Sequence, residues 1–171
     1  YSVPGSLNGG TIEAKGNVTF SNYGKPGTTL LRLSGSANQT LTSIAAASML
    51  KLEIISTGGI VTYSGQFNIQ SDYLYTSGVI SAGTSTLTFK SPYGGAISIT
   101  PGPADYNNIS IVGDHSTYTI SGSLNVAGLL TLGDVYDSGG VYPINSGNII
   151  AKGNVTFTGY GYGGTTLIKI G

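Results

Sequence analysis

The chain has 171 residues, with seven Lys+Arg against seven Asp+Glu, no Cys and 39% hydrophobic residues. A charged fraction of 8% leaves no basic field for nucleic acid or an anionic membrane surface, and the lack of Cys excludes disulfides, thiolate metal sites and Cys nucleophiles. With 28 Gly and abundant Ser, Thr and Asn, the chain is too apolar for a disordered linker and too rich in turn formers for a helical protein, so it is expected to be all-β.

From the N-terminus onward, apolar and small polar residues alternate in short runs: "NVTF" (17–20), "TLLRLSG" (29–35), "QTLTSI" (39–44), "LKLEII" (50–55), "GIVTYSG" (59–65) and "QFNIQ" (66–70). The series continues with "STLTFKS" (85–91), "AISIT" (96–100), "NISIVG" (109–113 with its leading Asn108), "STYTISG" (116–122), "SLNVAG" (123–128), "LLTLG" (129–133), "NVTF" (154–157) and "TLIKIG" (166–171). A period of two predicts strands with one buried face and one face carrying Thr, Ser, Asn or Lys. Gly, Asn, Asp and Pro interrupt the runs about every ten residues and supply the backbone that tight corners need. Only "SIAAASMLKLEI" (43–54) invites a helical reading, and its Thr, Ser and β-branched flanks make it a corner leading into a strand at 49–55. No apolar run approaches the length of a membrane span, and no signal peptide is recognisable. A start at Tyr1 is expected of a processed or excised piece.

The chain repeats itself. "AKGNVTF" at 14–20 returns at 151–157, and a shift of 137 residues aligns 10–34 with 147–171 without a gap. Leu31/Ile168, Arg32/Lys169 and Leu33/Ile170 keep their type. A weaker match, shifted by 57, places 50–69 on 107–126, with Thr62/Thr119, Ser64/Ser121, Gly65/Gly122 and Asn68/Asn125 identical. Nested repetition of short strands with Gly and Asn corners predicts a parallel β-helix, or β-solenoid, whose coils bury their apolar face only by stacking. The rival is a tandem β-sandwich; the absence of Trp and of a Cys pair, and the unequal blocks, speak against it. The expected organisation is one continuous solenoid over 1–171, with one period at about 10–146 and the start of a second copy at 147–171.

Phrases such as "TTLLRLSGSANQTLTS" (28–43), "AGTSTLTFKSP" (82–92) and "NNISIVGDHSTYTISGSLNVAGLLTLGD" (107–134) resemble the repeats of very large bacterial surface proteins, the filamentous-haemagglutinin-like adhesins and other long exported β-helical chains. The resemblance is one of composition and rhythm and covers most of the chain. It implies a right-handed parallel β-helix, export to the cell surface, and a structural or adhesive role, and it transfers no functional residue.

Candidate sites are few. Asp114 and His115 in "GDHS" adjoin, but one His in a Gly-bounded segment suits a solvated corner better than a base or a zinc ligand. Asp134 and Asp137 in "GDVYDSGG" are weak candidates for Ca²⁺, with a side-chain-stabilised loop as the plainer reading. Tyr73 and Tyr75 in "DYLY", and Tyr160 and Tyr162 in "YGYGG", are candidates for contact with glycans; as strand formers with a polar tip they also suit a half-exposed pleat. Asn17, Asn38, Asn108 and Asn154 match the N-glycosylation acceptor pattern. Lys15 returns as Lys152 and Arg32 as Lys169, so these charges belong to the repeat rather than to a unique site. The basic residues are too scattered for the acidic-sugar cleft of a β-helical lyase, and the Thr-bearing runs vary too much to claim an ice-binding face. The expectation is therefore a non-enzymatic structural repeat of an extracellular filament, stalk or adhesin, without cofactor, whose partners are copies of itself; the alternatives are a carbohydrate-binding adhesive module that takes surface glycans and, behind it, a polysaccharide-active β-helix enzyme, which needs two carboxylates converging in one cleft.

Overall fold

The structure is a computed structural model that describes residues 7–21, 27–91, 94–113, 115–134, 142–159 and 162–171. Among them the strands run β1 (Thr11–Ala14), β2 (Val18–Phe20), β3 (Leu30–Leu33), β4 (Gln39–Met49), β5 (Lys51–Ile69), β6 (Tyr73–Ser81), β7 (Thr86–Phe89), β8 (Ala96–Thr100) and β9 (Asp105–Tyr106). They continue as β10 (Asn108–Gly113), β11 (Thr117–Ile120), β12 (Ser123–Val126), β13 (Leu130–Asp134), β14 (Tyr142–Asn145), β15 (Asn148–Ala151), β16 (Val155–Thr158), β17 (Tyr162–Gly163) and β18 (Leu167–Ile170). No helix occurs among the described residues. Every ladder is parallel and joins strands one coil apart. The chain is a β-solenoid of about 7 turns.

Each coil has three faces. The first is the stack β1, β3, start of β5, start of β6, β8, β11, β14, β17. The third is the end of β4, the end of β5, then β7, β10, β13 and β16. Between them lies a second face in two parts, β2 to β4, mid-β5 and the end of β6, and then β9, β12, β15 and β18. Register partners on the first face, such as Leu31 and Leu52 or Tyr73 and Ile99, set coil lengths of 21 and 26 residues.

The alternation explains the core. Ile12, Leu31, Leu52, Tyr73, Ile99 and Ile120 share one inward row of the first face. Phe67, Leu87, Ile109, Leu130 and Val155 share one of the third. Residues at 4.7–4.9 Å spacing along such rows touch their own kind, so the apolar area of each coil is buried by its neighbours. The second face breaks between β6 and β9, where Pro101 and Pro103 offer no N–H to a ladder. There the coil lengthens, and the interior is filled by rings meeting edge to face, Tyr73 with Phe89 and with Tyr106, both at 6.1 Å between centroids.

Corners need special backbone. The Ala run forms one within β4, where Ala46 has φ 47° and the register shifts between Ser43 and Ala47. Gly65 turns the next coil at φ 99°, and a Cβ placed on it would overlap the Ser43 carbonyl oxygen of the coil beneath. Gly65→Ala is expected to lose about 3 kcal/mol in urea unfolding, because strained φ and backbone overlap add. Gly94→Ala, with φ 69° but open space around the added methyl, is expected to lose only about 1 kcal/mol.

Candidate functional site

The tyrosine candidates separate. Tyr73 and Tyr75 do share a strand face, but it is the inward one. Tyr73 is buried, its hydroxyl between those of Tyr63 (2.7 Å) and Tyr106 (2.8 Å), and Tyr106 donates onward to the Pro101 carbonyl. It presents no surface to a glycan. Tyr75 is half-buried and donates to the Gly78 carbonyl at 2.7 Å. Its ring lines a shallow cavity of about 200 Å³ with Val79, Ile80, Pro103 and Ala104, at the break in the second face, and Gly102 packs against the ring plane. Tyr160 lies outside the described residues, as does the side chain of Tyr162.

The acceptor asparagines are corner residues that hold the next coil. The Thr40 N–H donates to Asn17 Oδ1 (2.8 Å), the Ile60 N–H to Asn38 Oδ1 (2.9 Å) and the Leu129 N–H to Asn108 Oδ1 (2.8 Å). Each side chain satisfies a backbone donor that a corner takes out of the ladder. Asn154, the repeat equivalent of Asn17, is exposed. Asn38→Ala is expected to lower stability by about 1 kcal/mol in thermal or urea unfolding, as for loss of a cap.

Sequence reasoning missed Gln39. It is buried, and its Nε2 donates to the carbonyls of Ala14 (3.0 Å) and Gly16 (2.8 Å) while Oε1 accepts from the Gly35 N–H (2.9 Å). The signal was available, since Gln39 is in phase with Leu41 and Ser43 on the inward side of β4.

Charged groups lie in register on the outside. Arg32 Nε donates to Glu53 Oε2 (2.7 Å), with Glu13 on the other side of Arg32 in the same row. Lys51 pairs with Asp72 (2.9 Å). Burial pushes the Asp72 carboxyl up, but the Ser98 N–H that donates to it and the Lys51 ammonium together hold it below the usual range. Asp137 and Asp114 lie outside the described residues, as does the side chain of Asp134; His115 is exposed, at φ 57°. Among the described residues no three His, Asp or Glu side chains come together as a metal site would need.

What the structure does bring together is the repeat itself. The second copy lies on the coils of the first period: β15 on β12, β16 on β13, and β18 in turn on β15. Lys152 of the second copy reaches Asp105 of the first period at 2.7 Å. Two pairs of equivalent apolar residues, one near each end of the repeated segment, have opposite exposure. Ile12 is 44% exposed and its counterpart Ile149 is 0% exposed; Leu33 is 1% exposed and its counterpart Ile170 is 67% exposed. The first copy has a coil above it and the second a coil below it, so each shows the contact the other lacks. No family model, no curated protein and no solved structure matches this chain.

Proposed function

We propose that the chain is a structural repeat of an extracellular filament, stalk or adhesin of the kind its phrasing resembles, built by stacking coil on coil from one copy of the repeat to the next. The observation that carries this reading is the complementary burial of the two copies. Superposed, they leave every apolar position among the described residues of the repeated coil at least half-buried in one copy, and the row of Ile12, Leu31 and Leu52 has the same register as that of Leu124, Ile149 and Ile168. A solenoid is bound together by neighbour contacts alone, so a coil that stacks once stacks again. The partner is therefore another copy of the same repeat, either in one chain or as a separate subunit forming an open heterologous assembly. Placement outside the cell rests on the resemblance.

The test is to append residues 35–171 after Gly171, which corresponds to Ser34 of the first copy, and to measure small-angle scattering. The expected result is one rod of unchanged cross-section, longer by about 30 Å for about six coils at ladder spacing. Two beads joined by a flexible junction, or loss of the rod, would contradict the proposal.

A further inference from the structure

The 137-residue period does not contain a whole number of coils. Six ladder steps on the first face lead from β1 to β14. The repeat equivalent of β1 is β15, one face further on. The same holds for every described strand of the repeated segment: β2 on the second face recurs as β16 on the third, and β3 on the first recurs as β18 on the second. The period is thus 6⅓ coils. The weaker match behaves alike, since Leu52 on the first face recurs as Ile109 on the third, and Thr62 on the second as Thr119 on the first.

We infer that a fibre built on this period, which rests on the function proposed above, is a threefold screw: each period presents its surface one third of a turn from the last. The three faces are interchangeable because each asks the same of a strand, an apolar inward row and small polar residues outward. The identical sequence Val-Thr-Phe obeys this on two faces, with Thr19 exposed on the second and Thr156 exposed on the third. Three periods restore the starting face after 19 coils, about 90 Å at ladder spacing. The consequence concerns partners. A molecule lying along one side of the fibre, including a second fibre of the same kind, meets the same strip only once in about 90 Å, while the other two sides carry that strip at the two intervening periods. Such a surface suits a stalk approached from all sides rather than a one-sided adhesive strip.

The experiment is structure determination, by crystallography or electron microscopy, of the 171-residue chain extended by two further copies of residues 35–171. The expected result is that the successive Val-Thr-Phe strands occupy the second, third, first and second faces. If scattering shows a continuous rod but the added coils change length so that these strands share one face, the screw is wrong while the stacked-repeat reading stands. If no continuous rod forms, the stacked-repeat reading fails and the screw with it.

Discussion

Replacement of Gln39 by leucine is expected to cost about 3 kcal/mol, among the largest losses available to a single side chain here. The leucine matches the glutamine in size and fits an inward position beside Leu41, so packing is largely kept. What is lost is the clamp. The Gly35 N–H has Gln39 as its partner in this buried corner, whereas the exposed Gly16 carbonyl can turn to water and the Ala14 carbonyl retains the Ser34 N–H at 3.0 Å. The orphaned N–H costs about 1–3 kcal/mol, and the bonds lost to the two carbonyls about 1 kcal/mol more. Urea unfolding followed by circular dichroism measures the loss; a Gln39→Leu protein as stable as the parent would show that the clamp contributes nothing. Thr40→Ala, one residue along and half-exposed, is the control and is expected to change stability by less than about 0.5 kcal/mol.

Alkaline solution is expected to unfold the chain steeply. Tyr63 and Tyr73 are raised well above the ordinary phenol value, chiefly by burial and then by neighbouring tyrosines, and Tyr106 is raised by burial against the opposing effect of its bond with Tyr73. Below about pH 10 all three are protonated in both states. Above it the unfolded chain releases protons that the folded chain keeps, so stability falls with rising pH until the folded phenols ionise too. The slope approaches about 1.4 kcal/mol per pH unit for each tyrosine, about 4 for the three, above about pH 11, and averages about half of that from about pH 9 to 11, where the unfolded phenols are on average half ionised. Denaturant titrations between pH 9 and 11 (about one unit either side of the ordinary phenol value) measure it. Tyr106→Phe is expected to cut the slope by about a third, whatever it does to stability at neutral pH. Phenolate absorbance rising before any loss of β-structure would show that the tyrosines are not held as described.

The strands were legible because period-two alternation is a local signal, and "LKLEII", "STLTFKS" and "STYTISG" each overlap a strand. The parallel solenoid was legible from repetition. The phase of the coil was not. A strand placed on any of three faces meets the same demand, so nothing local tells the first face from the second, and the matches at 57 and 137 residues were read as blocks although neither is a whole number of coils. Residues 51–69 read as three runs but form one strand that turns the corners at Gly58, Gly59 and Gly65, its ladders to the neighbouring coils shifting register there. Tyr73 is a candidate for glycan contact in the sequence because it shares a strand face with Tyr75; its phase with Ile99 and Leu52 places it inside, where two other phenols satisfy its hydroxyl. The acceptor asparagines were legible as a pattern, while their work in holding the next coil depends on contacts about 20 residues away, beyond any local motif.

The mass of the denatured polypeptide from its natural source, with peptides mapped across copies of "AKGNVTF", tests the stacking of repeat on repeat most directly. A mass many times 17.4 kDa, with peptides running unbroken from one period into the next, is the predicted result. A single chain near 17.4 kDa that stays monomeric at every concentration would contradict it.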